Sequence, residues 1–413
     1  MTGVQTCALP IYLYSRRPLD ELLEADSILV IGSSVTDDNP VSDYLIRATL
    51  RNRTGKLFLA SARPSRLDKD STAHLRLLPG DEVQLIALLD HALAGMAGEA
   101  AAPLGEFVQQ AVTTVKSAAS VTVLVGVDLL RAPQANLALQ WLERFLRRLR
   151  GSGKQVGLQF LFDRSNQMGA WEMGVLPGHL PGWRSLGEAG FEQAWGKPPP
   201  RMPGADIHAM LERCADGEMD LLYLIGSDPL AAYPDRDLVE KALSSVGLLV
   251  VQAAHHSATT ARADIVLPGA AFGEETGTVI GNEGRVQIIR EIRRPAGRAR
   301  RNMEILTQVA ETFDCDLGAA TPQEVFAEIA QLVPSFQGLS LGDISAAGAL
   351  TASTPRVGGE ELDGPPMPTR SNGLRLDNGK LMLVTGDCGF HSGFATDRKS
   401  TRLNSSHTSS SYA

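Results

Sequence analysis

The chain has 413 residues, 43% hydrophobic and 21% charged, a globular composition that excludes fibrous and disordered classes. Acidic residues outnumber basic ones, 47 to 39, for a formal charge of -8, which argues against a general nucleic-acid binder. No run approaches the roughly 18 apolar residues of a membrane span. The four cysteines, Cys7, Cys214, Cys315 and Cys388, lie far apart with no CxxC pair, which argues against a disulfide scaffold, a zinc finger or a complete iron–sulfur site within this chain.

The two ends read as foreign sequence. Met1–Ile11 (MTGVQTCALPI), taken backwards through the genetic code, complements Asp397–His407 (DRKSTRLNSSH) at every position, if Met1 starts on GTG. Both segments resemble a translated sequencing adapter, so native sequence is expected from about Tyr12 to Thr396, in a frame cut at both ends. Cys7 and His407 then belong to no site, and removing the basic tail leaves the rest more acidic still. Met1–Ile11 also lacks the basic start and apolar centre of a signal peptide.

In chain order, short apolar runs predict strands at Ser27–Ile31, Lys56–Ala60, Val121–Val125, Val156–Phe162, Leu221–Ile225, Leu248–Ala253 and Asp264–Leu267. They are mostly continuous rather than alternating, as in parallel strands buried on both faces. Between them, Leu137–Arg150 stacks Leu137, Trp141, Phe145 and Leu149 at four-residue spacing, with its arginines mostly off that stripe, which predicts an amphipathic helix. Asp237–Ser244 and Met303–Phe313 read as helices too. Strand–helix alternation predicts an α/β fold with mostly parallel sheets. Gly178–Pro203, rich in Gly, Pro and Trp, reads as a long ordered loop or a crossing between domains. Leu339–Asn372, rich in Gly, Ser, Thr and Pro, reads as a linker, and Lys380–Thr385 as the first strand of a further domain.

A weak repeat links two of the strand ends. Ile31–Pro40 is IGSSVTDDNP and Ile225–Pro234 is IGSDPLAAYP, with Val125–Pro133 a looser third copy. Glycine at a strand's carboxyl end permits a sharp turn and a close approach to a ligand, and the next helix aims free N–H groups there. Open α/β sheets bind ligands at that place. Neither a GxGxxG fingerprint nor a Walker motif is present, and Asp37, Asp38 and Asp228 oppose phosphate unless they read a base or ribose. A plain strand–helix connection stands beside the ligand-loop reading.

Other groups carry two readings each. His255-His256 is a metal or proton-transfer pair, or a structural pair whose adjacent side chains diverge and find no ligand spacing. Glu274-Glu275 is a general base, or a pair with a solvated or capping role. Arg285–Arg301, with seven arginines, grips phosphates or an acidic partner protein, or forms a solvated basic face. The single cysteines read as small buried hydrophobes.

Asn166-Gln167-Met168-Gly169-Ala170, Met173-Gly174, Pro177 and Leu180-Pro181-Gly182 resemble a segment of the molybdopterin oxidoreductase superfamily. So do Ala263–Pro268, Glu275, Gly277-Thr278 and Asn282–Gln287. Within it, Ala254-His255-His256 through Gln287, with Leu383–Gly386 and His391-Ser392-Gly393, look most like the branch of the large peripheral-arm subunit, the G subunit, of NADH–quinone oxidoreductase (complex I). The resemblance implies two Rossmann-like parallel-sheet units of the molybdopterin type at 12–165 and 166–335. A linker would follow at 336–379 and the truncated start of a β-rich domain at 380–396, between artefact ends at 1–11 and 397–413.

In that branch the body supports electron transfer from NADH to quinone and is itself not catalytic. Gly32, Ser33, Gly226, Ser227 and Asp228 would be relics of pterin-dinucleotide loops, and no catalytic or metal-ligating residue is assigned. Iron–sulfur clusters are expected in an N-terminal region absent from this chain. Expected partners are the other peripheral-arm subunits, on the cytoplasmic face of the inner membrane, with neither nucleic acid nor membrane insertion. One alternative is a molybdenum–pterin oxidoreductase of the formate dehydrogenase kind, holding molybdopterin guanine dinucleotide with Asp228 reading a guanine. A second is a non-redox scaffold module.

Overall fold

The computed structural model describes residues 17–352, apart from 53–54, 97–99, 101, 133, 163 and 189. The adapter-like ends, the later part of the expected linker, the strand expected at Lys380–Thr385 and Cys388 lie outside the described residues. The chain divides into two compact units.

The first unit takes residues 17–168 together with Gly281–Arg285. It runs β1 (Ser27–Ile31), α1 (Val35–Asp38), α2 (Pro40–Asn52), β2 (Lys56–Ser61), β3 (Ala73–Arg76), α3 (Glu82–Leu93), α4 (Leu104–Ser117), β4 (Ser120–Gly126), α5 (Val127–Arg131), α6 (Ala135–Gly151) and β5 (Gln155–Leu161). The five strands form one sheet in the order β3-β2-β1-β4-β5, all pairs parallel. Ile31 at the end of β1 pairs with Ala60 of β2 and Val125 of β4. Every residue of β1 is buried, which accounts for its unbroken apolar run. Ile28 and Val30 join Leu22, Ile46, Leu57, Leu59 and Leu67 in one core cluster. Elsewhere in the unit, Phe58 of β2 meets Phe107 of α4 edge to face at 5.9 Å.

The expected amphipathic helix is α6. Its buried stripe is Ala138, Trp141, Leu142, Phe145, Leu146 and Leu149, while Leu137 is only half-buried. Two of its arginines are not simply solvated. Arg144 and Arg148 both reach the buried carboxylate of Asp90 on α3.

The second unit takes Gly169–Ile280 and Val286–Ala352. Its elements follow α7 (Gln167–Glu172), starting with two-residue strands β6 (His179–Leu180) and β7 (Arg184–Ser185), and α8 (Phe191–Trp195). The Gly178–Pro203 segment therefore carries short elements of its own, with Leu180 and Phe191 buried. Then come α9 (Ile207–Ala215), β8 (Leu221–Ile225), α10 (Pro229–Ala232), α11 (Arg236–Ser245), β9 (Leu248–Ala253) and β10 (Ile265–Pro268). The sheet order is β10-β9-β8, both pairs parallel. Leu222, Leu224, Leu249 and Val251 form a core with Leu211 and Cys214 of α9 and Val239 and Leu243 of α11. Residues of alternate register on these strands, Leu221, Ile225 and Leu248, are exposed.

An antiparallel hairpin follows, β11 (Gly277–Ile280) and β12 (Arg285–Ile289), then α12 (Asn302–Glu311) and α13 (Pro322–Leu332). Residues 336–352 fall in the expected linker, yet they bury Leu341 and Ile344. They end in β13 (Ala349–Leu350), which joins the hairpin beside β12.

Candidate functional site

The two IGS turns occupy equivalent places in their units. Gly32 follows β1 with φ +70°, and its N–H donates to the Ala60 carbonyl of β2 at 2.8 Å. Gly226 follows β8 with φ +60°, and its N–H donates to the Gln252 carbonyl of β9 at 2.8 Å. A side chain is strained in that left-handed backbone, which is why both positions suit glycine. The third copy is different. Gly126 at the end of β4 has φ -82°, and its lack of a side chain serves close packing: a Cβ there would lie 1.9 Å from the Gly32 carbonyl oxygen and 2.5 Å from Ser33 Cβ. The sheet's order reverses between β1 and β4, where open sheets place their ligands, and here the two strand ends meet backbone to backbone.

The first turn is buried and closed on itself. Gly32, Ser33 and Ser34 are buried. Asp38 Oδ2 accepts from Ser33 Oγ at 2.9 Å and from the Ser34 N–H at 3.0 Å. Asp38 Oδ1 accepts from the Arg63 guanidinium at 3.0 Å, and the Asp38 side chain is only 8% exposed. Burial works against the charge of Arg63, but Asp38, with Asp128 and Asp37, more than offsets it and raises its pKa above the ordinary arginine value. Arg63 Nε is buried and has no acceptor among the described residues.

The second turn is open. Gly226 and Ser227 are exposed, and nothing lies within 4 Å of where a Gly226 Cβ would stand. Asp228 is buried and accepts from Thr259 Oγ1, itself wholly buried. No basic residue lies within Gly226–Pro234.

A bound diphosphate needs N–H and hydroxyl donors and a guanidinium. At the first turn those groups already serve Asp38, and backbone fills the gap between β1 and β4. The first turn therefore does not fit the dinucleotide that the resemblance implies. Beside it lies a cleft of about 470 Å³ lined by Thr36, Asp43, Arg47, Ser65, Arg66, Asp68 and Lys69. Arg47 is bound to Asp43 at 2.9 Å and Asp70 at 2.6 Å, whereas Arg66 and Lys69 have no ion-pair partner among the described residues.

The remaining candidates are dispersed. His255 and His256 are exposed, and among the described residues no three His, Cys, Asp or Glu side chains are grouped to hold a metal ion. Glu274 accepts from the Ala271 N–H at 3.0 Å and from Arg293 at 2.6 Å. These two bonds hold its carboxyl below its ordinary pKa. Glu275 accepts from the Asn302 N–H at 3.0 Å and the Asn302 amide at 2.8 Å, capping the start of α12. Of the arginine-rich strip, Arg301 pairs with Glu291 and Glu304, while Arg290, Arg294 and Arg298 have no partner among the described residues. Cys214 is buried in the core of the second unit, and Cys315 is half-buried.

Sequence reasoning does not single out Glu82, fully buried at the start of α3, whose Oε2 accepts from the Gly80 N–H at 2.7 Å. Its position just ahead of the apolar run Leu85-Ile86-Ala87-Leu88-Leu89 is the available signal.

The family described as molybdopterin oxidoreductase has a sequence model that matches residues 11–312. A G-type subunit of NADH-quinone oxidoreductase from Rhizobium meliloti (strain 1021) is 43% identical over 410 residues, covering 95% of this chain and 47% of that protein. The alpha chain of an F420-dependent formate dehydrogenase from Methanocaldococcus jannaschii is 27% identical over 367 residues, covering 78% of this chain and 53% of that one. The chain spans about half the length of these curated relatives. Among solved structures, acetylene hydratase from Pelobacter acetylenicus superposes with a TM-score of 0.57 at 14% identity, over 87% of this chain and 56% of that one. That likeness concerns the fold alone.

Proposed function

The chain belongs to the molybdopterin oxidoreductase family, and from that premise we propose that it is the α/β body of the G subunit of an NADH–quinone oxidoreductase. The observation that carries this reading is the 43% identity to such a protein across 95% of the chain. In this role the chain is a structural support for electron transfer from NADH to quinone, with iron–sulfur centres outside it and the other peripheral-arm subunits as partners on the cytoplasmic face of the inner membrane. The self-engaged first turn supports a body that has lost its dinucleotide. No helix among the described residues is long and apolar enough to cross a membrane, which suits a peripheral place. Gly32, Ser33, Gly226, Ser227 and Asp228 are, on this reading, relic loop residues.

A second reading, a molybdenum–pterin enzyme of the formate dehydrogenase kind, is favoured by one observation. Arg66 and Lys69 line the cleft beside the first turn and are left unpaired among the described residues. The deciding experiment co-expresses the chain with peripheral-arm subunits in a host that makes the molybdenum cofactor. The body reading expects co-purification with those subunits and neither molybdenum nor guanine nucleotide. Stoichiometric recovery of both overturns it in favour of the second reading.

A further inference from the structure

We propose that the first turn carries its own anion: Asp38 stands in for a ligand's phosphate and locks the turn against diphosphates. The inference rests on the structural-body reading and gives it a specific cause.

A site for a phosphoryl group at a strand's carboxyl end is made from a backbone N–H, a hydroxyl and a guanidinium converging on one point. The Ser34 N–H, Ser33 Oγ and Arg63 converge in this way, and the group at their focus is the Asp38 carboxylate, at 3.0, 2.9 and 3.0 Å. The three donors come from both sides of the turn, Ser33 and Ser34 just after β1 and Arg63 just after β2. A carboxylate that merely capped the helix start would not need the arginine. The Arg63 Nε also stays buried without an acceptor among the described residues, so the carboxylate answers only part of what the guanidinium offers.

The lock holds because it is intramolecular. Asp38 lies five residues from Ser33, at the end of the short helix α1, and a group tethered so closely competes at an effective concentration on the order of millimolar or above. A free diphosphate must displace it and must also enter beside the Gly32–Gly126 contact.

Calorimetric titration with inorganic pyrophosphate tests this on the full chain, on Asp38→Ala, on Asp38→Asn and on Asp38→Ala combined with Arg63→Ala. Asp38→Asn keeps the shape of the turn and serves if the alanine variant does not fold. The full chain is expected to show no saturable binding that depends on Arg63. Either single variant is expected to bind roughly tenfold tighter or better, and the double variant to lose that gain. Equal affinity in the unaltered chain, no gain in either single variant, or a gain that survives Arg63→Ala each overturns the lock. Molybdenum and guanine nucleotide are assayed on the same unaltered chain. Their recovery overturns the structural-body reading, whereas a missing pyrophosphate gain without them overturns the lock alone.

Discussion

Asp90, wholly buried on α3, accepts a 2.8 Å hydrogen bond from Nε of Arg148 on α6. Its second oxygen accepts from Arg144 one turn earlier, at 2.9 Å. A carboxylate with no exposure is tolerable only when its charge is met and its lone pairs are filled, and two guanidinium groups do both. They also clamp α3 and α6 together. The arginines are about a third exposed, 32% and 33%, so part of each charge stays hydrated.

Asp90→Ala should therefore destabilise the chain by about 2 kcal/mol, below the range for a fully buried pair because the orphaned arginines can turn to water. Arg144→Ala alone should cost less, since Arg148 still holds the carboxylate at both oxygens. Urea midpoints of the two variants check the order. An Asp90→Ala midpoint equal to that of the unaltered chain would show that the clamp adds nothing.

The contact between Gly126 and Gly32 gives a second expectation. A methyl group on residue 126 meets the Gly32 carbonyl at 1.9 Å and its carbon at 2.5 Å. Both belong to backbone held by the ladder bond from Gly32 to Ala60. Neither partner is a side chain that can swing away, so Gly126→Ala should cost about 3 kcal/mol through forced backbone shifts. Gly153→Ala is a fair contrast, since nothing lies within 4 Å of a Cβ there and only its φ of +78° opposes the change. The expected loss is about 1 kcal/mol. Thermal unfolding of the two variants separates the steric from the conformational cost, and equal losses would contradict the packing argument.

The strands that frame the site are legible because burial on both faces leaves an unbroken apolar run. Ser27–Ile31, Leu221–Ile225 and Leu248–Ala253 coincide with β1, β8 and β9 to the residue. Less is legible where the local pattern carries no period. α3 buries Val83, Leu85, Ile86, Ala87, Leu88 and Leu89 all round, so it shows no amphipathic stripe. β3 has four residues, of which Leu75 alone is buried. The β11–β12 hairpin turns at Asn282-Glu283-Gly284, with Gly284 at φ +75°. That signal lies inside a family motif, which draws attention away from the turn it makes. At the site, the positions of Gly32 and Gly226 follow from the IGS repeat, and the sequence leaves both Arg63 and Arg66 able to approach from the neighbouring strand's end. That Arg63 is engaged by Asp38, twenty-five residues away, depends on the β1–β2 register, which spacing along the chain does not reveal.

Glu275 provides a third expectation. Its carboxylate accepts from both the N–H and the amide of Asn302, while Asn302 Oδ1 accepts from Gln252 of β9 at 2.8 Å. The cap thus ties α12 to the strand whose end supports the second IGS turn. Glu275→Ala should cost about 1 kcal/mol, in the range of a lost helix cap, and Glu275→Gln less, because its amide oxygen still accepts from the Asn302 N–H. Hydrogen exchange at the first turn of α12 should quicken in the alanine variant. Unchanged exchange there would remove the capping role.

The last expectation concerns pH and follows from Glu82. Burial is the main force on this carboxyl, with Asp128 and Asp81 adding repulsion, and together they push its pKa from an ordinary 4.5 up to about 7 despite the hydrogen bond from Gly80. The folded state therefore holds a proton that the unfolded chain releases across that window. The resulting stability is fully present below about pH 4.5 and is lost as pH rises through about 7. The limiting size is on the order of 3 kcal/mol. Glu82→Gln keeps an oxygen for the Gly80 N–H and places a neutral amide where Glu82 Oε1, buried and without a partner among the described residues, now sits. Its urea midpoint should lack this decline between about pH 4.5 and 7, and above about pH 7.5 it should exceed that of the unaltered chain. Parallel midpoint curves for the two proteins across that range would show that Glu82 keeps an ordinary pKa in the folded chain.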